Sequence, residues 1–383
     1  MSVGSKKRIL FLYPGFVPPN ANPEFDKHYY LSRDFSGVIL LPVWWKNEQE
    51  AKSKLSEINN AEFIRADFKY KFFYAYAIPS FLRSFFVFFF FLSQGIREQR
   101  KDKFSVIVSY GANLTGVAAC LLKLVTGAEL IIDLPGVPSK AYLYDAPEFS
   151  FKNKIKKLFS DLNLRFCCNF ADKLKLMSLG QLTGFESIKR IPHAIFHEFV
   201  PIGKIQKLDV DENYLLFIGF PWYLKGVDLL IKAFNEVVKK YPDYQLKIVG
   251  HCEELSYFEN LVENKSKVEF LPGQTYERAI ELMQKCSIFI LPSRTEAMGR
   301  VVLEAMACGK LVIASDADGL PDYVSGRGLL FESGNFKSLA EKIILAFEDK
   351  ENSKCLAGKA YEYALTEYSE IAYLEKFKAL INS

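Results

Sequence analysis

The chain has 383 residues, half of them hydrophobic and a quarter charged, a balance that suits two globular domains and excludes a disordered, collagen-like or repeat-built chain. Its 49 Lys and Arg against 45 Asp and Glu leave a formal charge of +4, too even to attract nucleic acid through overall charge, so any electrostatic partner must meet a local patch. Seven Cys occur without a CxxC pair or an even framework, and Cys167 and Cys168 are neighbours, which fits a reduced, cytoplasmic compartment.

The opening MSVGSKKRILFLYPG puts charge ahead of an apolar stretch, as an export signal would. That stretch runs only from Ile9 to Tyr13 and turns at Pro14-Gly15, so it reads as a first strand rather than a leader. Gly15 would let backbone approach a ligand, and plain turn chemistry explains it equally well.

The Phe content is unusual, 34 in all, and its excess is concentrated between Phe72 and Gly95, in FFYAYAIPSFLRSFFVFFFFLSQG, which holds nine of them. The stretch is long enough to span a bilayer, but Pro79 and Arg83 interrupt it and the unbroken apolar run is only Phe85 to Leu92. Apolar on every side, it reads either as a helix packed between layers of a large domain or as a face laid against lipid. Further on, between Phe151 and Lys175, Phe151, Ile155, Leu158, Phe159 and Leu162 recur at helical spacing while Lys152, Lys154, Lys156 and Lys157 fill the gaps. A basic amphipathic helix of this kind can lie on anionic lipid; solvated lysines beside a core-facing stripe are the other reading.

Both halves alternate short β-branched or aromatic runs with helical stretches, the pattern of parallel sheets wrapped by helices. Strands are predicted at Arg8 to Tyr13, Gly37 to Trp45, Phe104 to Tyr110, Ala128 to Leu134, Lys173 to Met177 and Ile188 to Pro192. A polar linker without periodicity, Pro201 to Asn213, precedes further strands at Tyr214 to Gly219, Gln245 to Gly250, Lys267 to Leu271, Ser287 to Leu291 and Lys310 to Ala314. The expected fold class is therefore α/β, with two doubly wound domains, residues 1–200 and 214–365, facing across a cleft. Ligands of such sheets bind outside the carboxyl ends of the strands.

The densest chemical signal is SIFILPSRTEAMGRVVLEAMACGKLVIASDADGLPD, Ser287 to Asp322. A strand ends at Leu291, a loop carries Arg294 and Glu296, and a helix opens near Gly299, runs through Glu304 and stops at Gly309. Backbone N–H groups of Gly299, Arg300 and Val301 at the helix start favour a phosphate, and a carboxylate set back on the helix, Glu304, can accept both hydroxyls of a ribose. Glu296 would meet whatever lies beyond the phosphates. Lys225, which follows the strand ending at Gly219 in FIGFPWYLKG, can reach the same cleft and, with the helix N-terminus, stabilise a leaving diphosphate without a metal. Taken singly, each of these residues has a plain alternative as a salt-bridged helix glutamate, a solvated loop glutamate or an exposed lysine. His193 and His197 stand four apart, the helical spacing of a metal pair, with no third ligand evident.

With Glu296 and Glu304 forming an E-x7-E pair inside EAMGRVVLEAMACGKLVIAS, the sequence resembles the retaining nucleotide-sugar glycosyltransferases of the two-Rossmann-domain (GT-B) type, specifically family four. FIGFPWYLKGVDLLIKAF, LKIVG, VEFLPG, DGLPDYV and GLLF extend the resemblance over Tyr214 to Ile344, whereas the first half is similar only in layout. The resemblance implies that Glu304 holds the donor ribose, Glu296 contacts the donor sugar and Lys225 neutralises the diphosphate. It also implies that the last helix, residues 366–383, crosses back onto the first domain, and that the only small-molecule requirement is the nucleotide-sugar donor, with no metal.

Three departures stand out. The family's arginine beside the first-strand glycine is Phe220 here, leaving Lys225 alone or with Arg294 or Arg300 as the second charge. The histidine that often approaches the donor sugar is absent from IIDLPGVPSK, where Asp133 is the candidate for an acceptor or sugar contact. The acidic residue after the glycine turn is Asp322 rather than Glu. The implied function is transfer of a sugar from a nucleoside diphosphate to a saccharide or lipid-linked saccharide acceptor, with retention of anomeric configuration. Cell-surface polysaccharide or glycolipid synthesis at the inner face of a membrane would be its setting, with no nucleic-acid partner. The missing arginine and histidine keep open a non-catalytic sugar-nucleotide-binding subunit. A dinucleotide enzyme is disfavoured by the lack of GxGxxG.

Overall fold

The computed structural model describes residues 6–15, 26–43, 67–74, 78–137, 140, 151–182, 185–252 and 254–383. Its first half runs β1 (Lys7–Leu12), α1 (Lys27–Leu31), β2 (Phe35–Val43), β3 (Phe68–Tyr74), α2 (Ser80–Lys101), β4 (Val106–Tyr110), α3 (Leu114–Thr126), β5 (Glu129–Leu134), α4 (Phe151–Phe170), β6 (Lys173–Leu176) and β7 (His193–Ile195). These strands form one seven-stranded sheet in the order β3-β2-β1-β4-β5-β6-β7, with every pairing parallel. Central strands such as KRILFL and ELIIDL are buried along nearly their whole length, because helices cover both faces of a parallel sheet.

The second half runs β8 (Tyr214–Ile218), α5 (Val227–Lys240), β9 (Gln245–Val249), α6 (Leu255–Glu259), β10 (Val268–Leu271), α7 (Tyr276–Lys285), β11 (Ile288–Leu291), α8 (Arg300–Ala307), β12 (Leu311–Ser315), α9 (Leu320–Val324), β13 (Leu329–Phe331), α10 (Phe336–Glu348), α11 (Lys350–Glu367) and α12 (Glu370–Asn382). Its sheet has six parallel strands, β10-β9-β8-β11-β12-β13. The α/β class and the two doubly wound sheets expected from the alternating pattern are both present. Between the halves only a short 3-10 turn, Ile202–Lys204, interrupts an otherwise irregular stretch up to β8.

The last helix belongs spatially to the first half. Tyr373, Leu374, Phe377, Leu380 and Ile381 of α12 are buried in one cluster with Ile9, Phe11, Val106, Val108 and Ile131, and Lys173 donates to the Leu380 carbonyl at 3.0 Å. The preceding helix, α11, instead buries Leu356, Ala357, Ala360 and Ala364 against the second half. The chain therefore crosses between the halves twice, near Pro201 and near Tyr368, where Val200 N–H meets the Tyr368 carbonyl at 2.9 Å.

Several sequence expectations need correction. The strand placed at Ile188 to Pro192 is a 3-10 turn, Glu186–Arg190, followed by β7 three residues later. Because β7 is extended, His193 and His197 do not share a helix face: His193 is exposed, and His197 packs edge-on to Tyr323 at 4.6 Å. The Gly37 to Trp45 strand is β2 as far as Val43, with Trp44 and Trp45 outside the described residues. The Phe-rich stretch splits into β3, which ends at Tyr74, and α2, which starts at Ser80; residues 75–77 lie outside the described set. Nor is α2 buried all round, since Val87 and Phe91 face the core while Phe85, Phe86 and Phe89 face solvent. Among the described residues no helix is long and apolar enough to cross a membrane.

Candidate active site

In a doubly wound sheet the crevice opens where the strand order reverses. In the second sheet that point lies between β8 and β11, and the loops leaving these two strands carry Lys225 and Glu296. The Lys225 ammonium and the Glu296 carboxylate form an ion pair, and both line a cavity of about 630 Å³ between the halves. Its opposite wall comes from the carboxyl ends of β4 and β5, residues Gly111 to Asn113 and Leu134 to Val137, and from Ile155, Lys156 and Phe159 of α4.

The two loops are stitched together by backbone and charge. Gly226, at the N-cap of α5, has φ of 72°, and a Cβ there would fall 2.0 Å from the Pro292 carbonyl oxygen. Only glycine permits both the left-handed turn and the close approach. Arg294 N–H donates to the Leu224 carbonyl at 2.9 Å, and the Arg294 guanidinium grips Asp228 through two bonds of 2.8 and 2.7 Å while lying 4.2 Å from the Tyr223 ring centroid. Arg294 thus braces the loop that presents Lys225. Its charge is matched by a buried carboxylate, so it is a poor source of the second diphosphate charge.

A second brace comes from Asp318, a non-glycine residue at positive φ. Its carboxylate accepts from the Thr295 hydroxyl at 2.6 Å and from Glu296 N–H at 3.2 Å, and it pairs with Lys140 of the first half at 2.6 Å. Gly319 N–H in turn donates to the Glu296 carbonyl at 3.0 Å. Glu296 is therefore fixed at its side chain, its N–H and its carbonyl. Neither Asp318, Lys140 nor Asp228 was singled out by sequence reasoning, because their partners are distant along the chain.

Glu304 sits in the second turn of α8, buried, with Arg300 Nε at 3.0 Å from one of its oxygens. Burial raises the carboxyl above its usual range, and the Arg300 charge partly offsets that rise. The helix starts at Arg300 after Gly299, whose φ of 70° makes it a left-handed N-cap; Val302 N–H donates to the Gly299 carbonyl at 2.7 Å, while the Arg300 and Val301 N–H groups, ahead of the first helical bond, have no carbonyl within the helix to meet. Gly219 closes β8 through its N–H to the Val249 carbonyl at 3.0 Å. Asp322 lies in α9, with burial raising its carboxyl. Gly15 stands just beyond β1, at the corresponding edge of the first sheet.

Asp133 does not open into this cavity. It is 3% exposed, and both its oxygens accept from Lys175 at 3.1 Å, so it is spent on a buried network rather than presented to a substrate. The same network joins Lys175 to Glu198 at 3.5 Å and Glu198 to Lys27 at 2.9 Å. Burial alone would raise the Glu198 carboxyl, yet Lys27 and Lys175 outweigh it and hold the group down at about 2. Its contribution to stability is present above the ordinary value of 4.5 and is lost as pH falls toward 2. Replacing Lys175 with methionine strands the buried Asp133 carboxylate and leaves Glu198 with Lys27 alone, and the expected loss is about 3–5 kcal/mol of unfolding free energy. Urea unfolding at neutral pH measures it, and an unchanged midpoint would contradict the assignment.

Among the described residues no three His, Cys, Asp or Glu side chains are grouped so as to hold a metal ion. The loop and helix that follow β11 carry two carboxylates, Glu296 beside Lys225 and Glu304 beside Arg300.

Comparison with known proteins bears on this geometry. Residues 202–363 match the family model described as glycosyl transferases group 1. An uncharacterised glycosyltransferase of Methanocaldococcus jannaschii is 35% identical over 158 residues, 40% of this chain and 44% of that protein. The N,N'-diacetylbacillosaminyl-diphospho-undecaprenol alpha-1,3-N-acetylgalactosaminyltransferase of Campylobacter jejuni is 40% identical over 185 residues, 46% of each chain. The chain thus spans less than half the length of these relatives. In fold, it is similar to the crystal structure of Anabaena Alr3699/HepE in complex with UDP and glucose, with a TM-score of 0.72 at 18% identity over 98% of this chain and 99% of that one.

Proposed function

For a chain whose residues 202–363 match the family model of group 1 glycosyl transferases, we propose an enzyme that moves a sugar from a nucleoside diphosphate to a saccharide or lipid-linked saccharide, with retention of anomeric configuration. The observation that carries this reading is the pairing of Lys225 with Glu296 at the switch point of the second sheet, eight residues before buried Glu304.

In this reading the second half holds the donor. Glu304 accepts the ribose hydroxyls, and the ribose displaces Arg300 from it. Arg300, half exposed at the head of α8, then supplies the second positive charge that Phe220 cannot, beside Lys225. Both cations, with the first-turn N–H groups of α8, stabilise negative charge as the diphosphate leaves. Glu296, released from Lys225 by the phosphates, accepts from hydroxyls of the donor sugar. The acceptor enters from the wall made by β4, β5 and α4 and attacks on the face the diphosphate is leaving, its proton passing to a diphosphate oxygen. Closing the cavity excludes water that would otherwise hydrolyse the donor.

The test is incubation with UDP-, GDP- and ADP-sugars. One of them should stabilise the protein against thermal unfolding, and NMR of the product should show the anomeric configuration of the donor. A product of opposite configuration, or no stabilisation by any nucleotide, would sink the reading.

A further inference from the structure

The helix that forms the acceptor wall is turned inside out relative to its sequence pattern. In α4 the side chains that reach the core are Leu164, Cys167 and Cys168. The more prominent stripe points the other way: Leu158 is 58% exposed, Phe159 62% and Leu162 53%, with Ile155 and Phe166 exposed beside them. At about 100° per residue these five lie on one side of the helix. On the same scale Lys156 flanks one border of the stripe, and Lys154 and Arg165 flank the other. The one acidic residue of the helix, Asp161, is paired with Lys157 at 2.7 Å.

The topology extends this surface. Helices α2, α3 and α4 pack side by side on one face of the first sheet, and each begins at the carboxyl edge of parallel strands, the edge that carries the cleft. Exposed Phe85, Phe86 and Phe89 in the first half of α2, Leu114 at the start of α3, and Ile155, Leu158 and Phe159 in the first half of α4 lie toward that edge, with Leu162 and Phe166 carrying the α4 stripe further along the helix. Two residues of the stripe, Ile155 and Phe159, also line the cavity. Large apolar side chains exposed together along one helix, as Leu158, Phe159 and Leu162 are, mark a surface that meets a partner.

We propose that this surface docks on an anionic lipid bilayer, with α4 lying in the interface so that the acceptor side of the cavity opens onto the headgroups. Charge complementarity selects this occupant: apolar side chains enter the acyl boundary while the flanking Lys154, Lys156 and Arg165 meet lipid phosphates. A second copy is a worse fit, since twofold pairing along the stripe sets these cations against their own counterparts. The inference deepens the proposed function and rests on it in taking the cavity as the acceptor site; it makes the acceptor a saccharide on a lipid phosphate whose chain stays in the bilayer.

Flotation of the full chain with vesicles of phosphatidylcholine, alone or mixed with phosphatidylglycerol, tests it. The wild type should rise with the anionic vesicles, less so as salt is added. Leu158→Ser with Leu162→Ser should lower the bound fraction at least about tenfold, and Lys154→Gln with Arg165→Gln, which leaves Lys156 as the one flanking cation, should clearly weaken the preference for phosphatidylglycerol. None of these four residues lines the cavity, so nucleotide affinity and circular dichroism should be unchanged. A wild type that stays down with both vesicle types at low salt, or a serine variant that floats like it, would overturn the inference. So would a dimer by light scattering that the serine variant splits. Flotation in a protein that binds no nucleotide would overturn the donor site and leave the docking surface standing.

Discussion

Replacing Glu304 with alanine should weaken donor binding about 100-fold, with circular dichroism unchanged. A buried carboxylate that accepts from two ribose hydroxyls makes two charge-assisted hydrogen bonds, each worth about 1.5–3 kcal/mol. Part of that gain is already taken by Arg300, whose bond to Glu304 must give way, so the net loss is nearer 3 kcal/mol, which is about two decades in Kd. Glu304→Gln keeps the shape and loses the charge, and should fall between. Arg300→Ala separates the roles of the pair: binding of a nucleoside should hold or improve as the carboxylate is freed, while binding of the diphosphate should weaken. Titration calorimetry with nucleoside mono- and diphosphates reads all three variants. Wild-type affinity in Glu304→Ala would remove the ribose assignment.

Lys225→Ala should cost about 100- to 1000-fold in turnover, the scale of removing one preorganised donor at developing charge. The effect belongs mainly to kcat, because charge on the departing diphosphate grows toward the transition state and a group aimed there acts most strongly at that point. Lys225 lies within a few residues of the glycine that lets its loop pack on Pro292, and its neighbour Arg294 is locked to Asp228. Alanine therefore finds the loop held in place, and the loss should not reflect unfolding. Steady-state kinetics with thermal unfolding as control separates these outcomes. Unchanged turnover with intact folding would remove the diphosphate role.

How far the molecule was legible from its residues depended on how local each signal was. Glu296 and Glu304 belong to one strand-loop-helix unit, so their spacing already implied two side chains at the mouth of one strand. Lys225 was legible for the same reason, standing between a strand and a helix start. Asp318 was not: its partners Thr295 and Lys140 lie 23 and 178 residues away, and nothing in DADGLPD indicates which loop it will clamp. Arg294 and Asp133 looked available in sequence because a charged residue does not reveal its counter-ion. In the fold one is bound by Asp228 and the other by Lys175.

The first half was harder to read for a different reason. The α4 sequence holds two apolar stripes on opposite sides, and periodicity ranks the longer one as core. The sheet instead takes Leu164, Cys167 and Cys168, leaving the longer stripe outside. Similarly, β3 reads FKYKFFY, an edge strand whose lysines alternate with aromatics before it merges in sequence with the Phe run, so no boundary between strand and helix was visible there. In the second half β13, only three residues long, was missed as a strand although GLLF was noticed.

All these assignments converge on transfer, as opposed to mere retention of a nucleotide. The most direct measurement follows a label in the sugar of the nucleotide donor, presented with a lipid extract as acceptor, and compares the wild type with Lys225→Ala. Labelled lipid-linked product is expected from one nucleotide sugar with the wild type, and a collapse of that product in the variant. Saturable donor binding with no labelled product from any donor would contradict transfer and assign the chain to a sugar-nucleotide-binding subunit.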